Sequence, residues 1–301
     1  DLAIDAAGEP LVLAGTDGDG IRYLFDTNLL GTLNLLEFCR RRAGSLIFLS
    51  SSRVYSIRAL RDIRLREGET RLPPAGDCQP PGFSPAGVRE DFPTVGSGPR
   101  SPYGTSKLAS ELLVEEYACT HDLPAIVNRC GVIAGPGQFG KAAQGVFTLW
   151  VAAHLYGLPL AYHGFGGTGK QVRDLLHPAD LFALVRKQAA ALPGYRGQVF
   201  GVGGGMAGSV SLLEYTGLCE EATGNRIPIA SRPETNPVDI PHFVTDHTRA
   251  SQEFAWQPEH NPRRIVADIR HWLAAGGDPL KHLFLRPPER NEGKGTAPAC
   301  Q

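Results

Sequence analysis

The sequence has one methionine, no closely paired cysteines and no long apolar run. Met206 is the single methionine in 301 residues, and the chain begins at Asp1, so we expect that a preceding segment is missing. The six cysteines are too far apart for the CxxC pairs of zinc and redox motifs. No stretch has the length and apolarity of a membrane span or signal peptide. These absences predict reduced thiols, no metal site, no membrane insertion and a cytoplasmic location.

The chain also lacks an excess of charge of either sign. Thirty Lys and Arg residues nearly balance 31 Asp and Glu residues, which gives a net charge of -1. A strongly basic surface field attracts nucleic acid and anionic membranes, and this composition does not supply one. We therefore expect a small-molecule partner and no nucleic-acid or membrane partner.

Predicted strands and helices alternate along the first half of the chain. Short apolar runs at 2–7, 45–49 and 125–130 are typical of buried strands, whereas 21–43 and 102–121 show the apolar spacing of helices. This alternation predicts an α/β fold with a doubly wound parallel sheet. Further expected elements are a strand at 197–202 and helices at 145–157, 179–191, 210–223 and 262–274.

Two segments have compositions that differ from the rest of the chain. Residues 56–101 are rich in Pro and Gly and show little periodicity, which predicts a long surface insertion. Residues 286–301 are polar, and we expect this tail to be disordered.

Tyr103 and Lys107 are the sharpest catalytic candidates. They lie four residues apart at the start of a predicted helix, so their side chains share one face. A phenol with its ordinary pKa of about 10 is a weak base at neutral pH, and a nearby ammonium group lowers that pKa. A phenolate in this position can take a proton from a substrate hydroxyl while hydride leaves the carbon. An ordinary amphipathic helix has the same spacing, so the pair alone does not decide the chemistry.

Three consecutive serines strengthen the catalytic interpretation. Ser50, Ser51 and Ser52 follow a predicted parallel strand, and open α/β sheets bind ligands at the carboxyl ends of such strands. A hydroxyl there can hydrogen-bond the reacting oxygen, whereas the alternative interpretation is a polar turn. LSSSRVYS at 49–56 followed by SPYGTSK at 101–107 is a much less common combination than either feature alone.

These segments resemble the extended short-chain dehydrogenase/reductase superfamily, which includes nucleotide-sugar epimerases and dehydratases. The resemblance covers about residues 2–275 and implies a Rossmann-like, NAD-binding fold. The superfamily's catalytic Ser or Thr lies three residues before a Val, which corresponds to Ser51 here. The resemblance implies that Ser51 holds the reacting oxygen, that Tyr103 is the base, and that Lys107 supports the phenolate and binds the nicotinamide ribose.

The resemblance also implies a set of cofactor contacts. IDAAG at 4–8 is similar to the loop beside the cofactor pyrophosphate, and NLLGTLNLLEFC at 28–39 is similar to a helix near the active site. NRCGVIAGPGQFG at 128–140 is similar to the loop that meets the nicotinamide. The implied NAD-binding residues are Ala6, Ala7, Gly8, Asn28, Ser50, Tyr103, Lys107, Cys130 and Val132.

The substrate side is implied by GKQVRDLLHPADL at 169–181, where Arg173 resembles an arginine that clamps the nucleotide diphosphate. A guanidinium group suits this role because its planar fork binds two phosphate oxygens, although an ion pair with Asp174 is an alternative. Asn236 stands where relatives often have a second Arg, so the diphosphate clamp is expected to rest on Arg173 alone. The implied substrate-binding residues are Ser52, Gln138, Phe139, Gln144, Arg173 and Asp239.

The resemblance also implies how the chain is divided into domains. The Gly-rich cofactor fingerprint and the acidic residue that reads the adenosine ribose are absent from the chain, so NAD and NADP cannot be distinguished. We predict an NAD-binding domain at 1–160 without its first βαβ unit, and a smaller substrate-binding lobe at 161–285 with some elements returning to the core. A homodimer or higher homo-oligomer is expected, with 21–43 and 102–121 as the contact faces.

Several reactions are compatible with these residues. Dehydratases of the superfamily place an Asp-Glu pair directly after the catalytic Ser or Thr, where this chain has Ser52 and Arg53, so dehydration is excluded. The Pro-rich insertion and the segments at 137–147 and 197–214 resemble the CDP-tyvelose (CDP-paratose) 2-epimerases. This implies an NAD-dependent epimerase acting at C2 of a CDP-linked deoxyhexose. An NAD(P)-dependent sugar reductase, a 4-epimerase and a catalytically silent nucleotide-binding relative remain open.

Overall fold

The computed structural model describes residues 1–10, 20–76, 78–96, 98–139 and 145–285. Gln144 and the tail predicted at 286–301 lie outside these ranges. The strands are β1 (Ala3–Asp5), β2 (Leu46–Ser51), β3 (Phe83–Ser84), β4 (Gly87–Val88), β5 (Ala125–Cys130), β6 (Val132–Ile133), β7 (Leu160–His163), β8 (Val172–Leu176), β9 (Arg196–Val202), β10 (Ser209–Ser211), β11 (Ile229–Arg232) and β12 (His242–Phe243).

The α-helices are α1 (Ile21–Phe25), α2 (Gly31–Phe38), α3 (Ile57–Arg61), α4 (Pro102–Thr120), α5 (Val146–Tyr156), α6 (Pro178–Ala191), α7 (Leu212–Thr223), α8 (Thr248–Phe254) and α9 (Pro262–Leu285). Two π-helical segments, Asp26–Leu30 and Cys39–Ala43, continue α1 and α2. The helix predicted at 262–274 is longer than expected, with a kink at Gly277, whose φ is 56°.

The central sheet has the strand order β1-β2-β5-β9, and every pair in it is parallel. Strands β2 and β5 run side by side over their whole length, from Leu46 opposite Ala125 to Ser51 opposite Cys130. Parallel neighbours need crossover connections, and the helices between these strands supply them. The predicted α/β fold with a parallel sheet is confirmed.

Alternate side chains of the central strands pack on opposite faces of the sheet, which therefore needs helices on both sides. Leu46 and Phe48 lie in one buried cluster with Leu36 of α2 and Val114 of α4. Ile47, between them in the chain, lies in a second cluster with side chains of α6 and α8. The short apolar run of β2 therefore packs against helices on both faces, as expected for a doubly wound sheet.

The second half of the chain builds a smaller sheet and a helical cluster. Strand β8 lies between β10 and β12, and its last two residues, Leu175 and Leu176, also pair with β6. Strands β7 and β11 form a separate parallel pair. Helices α5, α7 and α9 pack together around buried residues that include Trp150, Tyr215 and Ile269.

The interpretation of residues 56–101 as a surface insertion is wrong. Side chains from this stretch, among them Ile57, Leu60, Val88 and Phe92, fill a buried cluster together with Tyr55 and with Phe243 of the smaller sheet. The apolar residues of this stretch follow neither the helical nor the strand period, so periodicity did not reveal their burial.

Among the helices that the structure describes, none combines the length and the apolarity needed to cross a membrane.

Candidate active site

The candidate site lies at the carboxyl ends of β1, β2 and β5. Asp5 ends β1, Ser51 ends β2 directly beside Cys130 of β5, and the three strands are parallel neighbours. Because parallel strands end at the same edge, the segments that follow them meet there. The predicted loop at 6–8, the serine cluster and the segment at 130–132 therefore share one edge of the sheet.

Helix α4 brings Tyr103 to this edge. Ser101 caps the helix, its Oγ accepting a hydrogen bond from the Gly104 amide at 3.1 Å, and Pro102 occupies the first turn. The Arg53 carbonyl lies against Gly104, because a Cβ added at Gly104 would stand 2.1 Å from that oxygen. This close approach packs the first turn of α4 against the turn Ser52–Val54 and fixes Tyr103 beside Ser51.

Tyr103 and Ser51 lie close together, and the Ser51 hydroxyl favours the ionised form of the Tyr103 phenol. Burial raises the pKa of Tyr103 above its ordinary value, whereas the Ser51 hydroxyl and the positive charge of Arg53 oppose the rise. Ser51 Oγ also accepts a hydrogen bond from the Arg53 amide at 3.1 Å, which holds the hydroxyl in place. The predicted Ser51–Tyr103 pair is therefore assembled, and a second cation contributes to its electrostatics.

Lys107 lies on the same face of α4, one turn beyond Tyr103. Its Nζ donates to the Leu49 carbonyl at 3.0 Å and lies 4.7 Å from the centre of the Phe48 ring. Burial lowers the pKa of Lys107, while the negative charge of Asp5 opposes the decrease. In this structure the Lys107 ammonium therefore contacts β2. The cation whose charge lowers the pKa of Tyr103 is Arg53, a role that the sequence predicts for Lys107.

The loop after β1 is held by Asn28. Its Oδ1 accepts from the Glu9 amide at 2.7 Å, and its Nδ2 donates to the Glu9 carbonyl and to Ser106 Oγ, each at 3.1 Å. A Cβ added at Gly8 would lie 3.0 Å from Asn28 Oδ1 and 3.7 Å from Lys107 Nζ. The backbone of the predicted pyrophosphate loop thus passes close to Lys107. The adjoining Ala6 and Ala7 are exposed.

The Ser50 hydroxyl is bonded to another side chain of the protein. Its hydroxyl donates to Glu111 Oε1 at 2.5 Å, and Glu111 forms a buried ion pair of 2.7 Å with Arg129. Arg129 also donates to the Glu90 carbonyl and lies 5.1 Å from the centre of the Tyr55 ring. The Ser50 side chain therefore belongs to a buried polar network beneath the site, and its predicted contact with NAD stays a prediction.

Two further predicted cofactor residues, Cys130 and Val132, lie at the end of β5 and in β6. The Cys130 thiol is buried, which raises its pKa to about 12, so the group is neutral at physiological pH. Val132 pairs with Leu175 in the smaller sheet, and its side chain packs against the cluster of α5, α7 and α9. The backbone of this segment, rather than its side chains, is thus what remains to face a ligand.

The predicted substrate residues Arg173 and Asp239 form an ion pair. Arg173 Nη2 donates to Asp239 Oδ1 at 2.9 Å and to the Ile240 carbonyl at 2.7 Å. Arg53 donates to the neighbouring Val238 carbonyl at 3.2 Å. The alternative ion pair of Arg173 with Asp174 is not formed: Asp174 is buried, and burial raises its pKa.

Of the remaining predicted substrate residues, Gln138 and Phe139 contact other side chains of the protein. Gln138 uses its amide internally, donating to the Ile133 carbonyl at 2.9 Å and accepting from Thr148 at 2.8 Å. Phe139 packs edge-on against Trp272 of α9, with ring centres 5.6 Å apart. Ser52 is partly exposed at the start of the turn after β2, and Gln144 lies outside the described residues.

One cluster has the composition of a metal site although none was predicted. His177, His260 and Asp268 each offer a ligand atom within 4.8 Å of the others. His177 Nδ1 accepts the Ala179 amide at 3.1 Å, so the proton of a neutral ring lies on Nε2, the nitrogen that faces Asp268. That nitrogen has no free lone pair for a metal in this arrangement.

Comparison with known proteins shows which family the chain belongs to. Residues 14–203 match the family described as "NAD dependent epimerase/dehydratase family". The chain belongs to that family. Its members are NAD-dependent nucleotide-sugar enzymes, which confirms the predicted resemblance, the epimerase class of enzyme and NAD as the cofactor.

Curated relatives of the NAD-dependent epimerase/dehydratase family resemble the chain over much of its length. It is 30% identical over 261 residues to CDP-paratose 2-epimerase from Salmonella typhi, covering 83% of this chain and 72% of the relative. It is also 30% identical over 225 residues to UDP-glucose 4-epimerase from Azospirillum brasilense, covering 70% of this chain and 59% of that relative.

Solved structures of the family share the fold. UDP-glucuronic acid 4-epimerase from Bacillus cereus, solved with UDP-glucuronic acid and NAD, has a TM-score of 0.71 at 21% identity. UDP-glucose 4-epimerase from Thermus thermophilus, solved with NAD, has a TM-score of 0.68 at 24% identity. Each comparison covers 91% of this chain, and the two cover 76% and 77% of the solved chains.

The residues of this site fit the nicotinamide end of NAD. A buried ammonium at Lys107 and the hydroxyls of Tyr103 and Ser51 supply the donors that a ribose and a reacting oxygen need. The backbone at Gly8 leaves room that a Cβ would fill beside Lys107 and Asn28. The structure therefore brings together the predicted catalytic residues at a place suited to this cofactor.

Proposed function

We propose that the protein is an NAD-dependent nucleotide-sugar epimerase that inverts C2 of CDP-paratose to give CDP-tyvelose, or acts on a close analogue. The observation that carries the proposal is the close approach of Tyr103 of α4 and Ser51 of β2, with Lys107 one turn beyond Tyr103 on the same helix. The choice of sugar is supported by the similarity to CDP-paratose 2-epimerase from Salmonella typhi.

In the proposed reaction, the Tyr103 phenolate takes the proton of the C2 hydroxyl, and Ser51 holds that oxygen as it becomes a ketone. Arg53 and Ser51 favour the phenolate, offsetting the burial that raises the pKa of Tyr103. NAD+, when bound, would supply the hydride acceptor and donor, and inversion at C2 requires the keto sugar to turn its other face toward the nicotinamide before the hydride returns. Tyr103 then gives its proton back to the oxygen, so protons and electrons balance within one turnover.

The residues proposed to bind NAD hold the cofactor through the Lys107 side chain and through backbone groups. Lys107 is proposed to bind the nicotinamide ribose when the cofactor is present, moving from its contact with the Leu49 carbonyl. Ala6, Ala7 and Gly8 are proposed to line the pyrophosphate through their backbone, held by Asn28. Cys130 and Val132 are proposed to meet the nicotinamide through their backbone, because their side chains pack inward.

Arg173 and Asp239 are proposed to bind the nucleotide diphosphate and a nucleotide ribose hydroxyl, respectively. Ser52, Gln138, Phe139 and Gln144 are proposed to surround the sugar, although the amide of Gln138 must leave its internal partners to do so. The domain boundaries near residues 160 and 285 and the cytoplasmic location also stay predictions.

A homo-oligomer is proposed through the helices at 21–43 and 102–121. These helices leave large apolar side chains exposed, among them Tyr23, Leu30, Phe38 and Leu112. Burying such side chains against a second copy would remove apolar surface from water.

A 4-epimerase is the second candidate, because UDP-glucose 4-epimerase from Azospirillum brasilense is as similar in identity as the CDP-paratose enzyme. A reductase uses the same Ser51, Tyr103 and Lys107, and a catalytically silent nucleotide-binding relative uses none of their chemistry. Dehydration is disfavoured because Ser52 and Arg53 follow Ser51 where an acid and a base are required.

The deciding experiment incubates the protein with NAD+ and either CDP-paratose or UDP-glucose, and follows products by NMR. Formation of CDP-tyvelose without net NADH supports the 2-epimerase, whereas UDP-galactose indicates the 4-epimerase. Stoichiometric consumption of NAD(P)H with a keto sugar indicates a reductase. Absence of all three products, with nucleotide binding retained, would contradict the proposed enzyme and favour the silent relative.

A further inference from the structure

Two arginines form hydrogen bonds with one short segment. Arg53, in the turn after β2, donates to the Val238 carbonyl at 3.2 Å. Arg173, in β8, donates to the Asp239 carboxylate at 2.9 Å and to the Ile240 carbonyl at 2.7 Å. The segment 238–240 thus brings together two guanidinium groups from separate parts of the fold.

The two arginines differ in their partners. Arg173 is paired with the Asp239 carboxylate and is also affected by the charge of Asp174, whereas the hydrogen bonds of the described residues give Arg53 no carboxylate partner. Arg53 binds a neutral carbonyl, and its pKa is lowered to about 10 by burial and by the charge of Arg173. Confining a cation in this way is unfavourable without a counter-ion, and a bound anion would relieve it.

Arg53 is also fixed next to the reacting groups. Its amide donates to Ser51 Oγ at 3.1 Å, and its carbonyl lies against Gly104, the residue after Tyr103. The positive charge of Arg53 acts on Tyr103. Arg53 therefore lies near both Tyr103 and Arg173, whose charges act on it.

We propose that Arg53 binds an anionic oxygen of the substrate diphosphate together with Arg173 and supplies the second cation of that subsite. The proposal rests on the proposed function only in taking a nucleotide sugar as the substrate. Two guanidinium forks can hold the oxygens of a diphosphate, which carries more charge than Arg173 alone can match while it is paired with Asp239.

The test measures binding of CDP, UDP and dTDP, and of the corresponding nucleosides, by isothermal titration calorimetry without NAD. Arg53→Gln removes the charge, and Arg53→Lys keeps it. We expect Arg53→Gln to weaken binding of the tightest nucleoside diphosphate by about 10- to 100-fold, the cost of a lost charged hydrogen bond. Binding of the nucleoside is expected to stay unchanged, and Arg53→Lys is expected to recover part of the diphosphate affinity.

Arg61→Gln is the matched control. Arg61 is exposed and donates to the carbonyls of Asn236, Pro237 and Asp239, so it holds the same segment from the outside. We expect Arg61→Gln to leave the diphosphate affinity unchanged. An equal loss in the Arg61 and Arg53 variants would overturn the proposal, because the effect would then come from ordering of the segment.

A sugar carboxylate is the other anion that Arg53 could bind, and UDP-glucuronate and UDP-glucose distinguish the two sources. An equal loss of affinity for both in Arg53→Gln supports the diphosphate. A loss confined to UDP-glucuronate, with CDP and UDP binding intact, overturns it in favour of the carboxylate. Nucleoside diphosphates that bind equally to the unmodified and Arg53→Gln proteins overturn this proposal alone. Failure of the unmodified protein to bind any of them overturns the proposed function as well.

Discussion

Glu111 and Arg129 form a buried ion pair directly beneath the strand end that carries Ser51. Their closest atoms are 2.7 Å apart, and Glu111 also accepts the Ser50 hydroxyl. Helix α4 carries both Glu111 and Tyr103, and β5 carries both Arg129 and Cys130. The ion pair therefore links the helix of the catalytic tyrosine to the central sheet.

Glu111→Gln is expected to destabilise the fold, because it leaves the buried Arg129 without its counter-charge. Breaking a buried pair from one side costs about 3–5 kcal/mol. Urea unfolding measures the free energy, with Glu116→Gln, an exposed residue of the same helix, as the control. A loss no larger than that of the control would contradict the structural role of the pair.

Tyr103→Phe is expected to lower kcat by about 10²- to 10⁴-fold, the usual contribution of a general acid–base. Binding of the nucleotide is expected to persist, because the ring stays in place. Steady-state kinetics with CDP-paratose and calorimetry with CDP measure the two effects. Tyr117→Phe is the control, because Tyr117 lies on the same helix as Tyr103 and its hydroxyl is bound to Glu37 of α2. This variant should keep full turnover. Unchanged kcat in Tyr103→Phe would refute the role of the phenol.

His242 is expected to make the fold less stable as the pH decreases. Burial lowers its pKa to about 4, and Arg71 and Arg173 oppose a positive charge on the ring. Between pH 7 and pH 5 the unfolded state binds a proton, since its histidine has an ordinary pKa of about 6.5, whereas the folded state does not. The stability contributed by the neutral ring is therefore present above about pH 6.5 and is lost progressively as the pH falls toward 4.

The measurement compares urea unfolding at pH 7 and pH 5 for the protein and for His242→Asn. The asparagine amide can still donate to the Leu72 carbonyl, which His242 Nδ1 contacts at 3.0 Å. We expect the variant to lose about 1–2 kcal/mol less between the two pH values. His271→Asn, at an exposed position of α9, is the control, and the same pH dependence in all three proteins would exclude His242 as the source.

Gly104→Ala is expected to disturb the catalytic turn. The new Cβ would overlap the Arg53 carbonyl, and relief of such overpacking costs about 1–3 kcal/mol. Gly217→Ala in α7 is the matched control, because its Cβ would meet nothing within 4 Å and alanine favours a helix by about 0.5–1 kcal/mol. Thermal unfolding should therefore move in opposite directions for the two variants. A Gly104→Ala protein as stable as the control would show that the turn tolerates a side chain.

The central parallel sheet and its helices could be predicted because short apolar runs alternate with helical patterns in the first half of the chain. The buried cluster contributed by residues 56–101 could not be predicted, because Ile57, Val88 and Phe92 follow no regular period and share a buried space with the distant Phe243. Likewise, the hydrogen bond that Gln138 accepts depends on Thr148 of α5. The packing of Val132 depends on the cluster formed by α5, α7 and α9.

The sequence by itself determined the positions of Ser51, Tyr103 and Lys107, because the end of a parallel strand and the first turns of one helix are local features. It also identified Arg173 through the motif around it. Only the tertiary structure decided that Arg53 joins Arg173 at the segment 238–240, and that the Ser50 hydroxyl donates to Glu111. Both outcomes depend on which side chains from distant segments share a buried space, and local spacing carries no record of those neighbours.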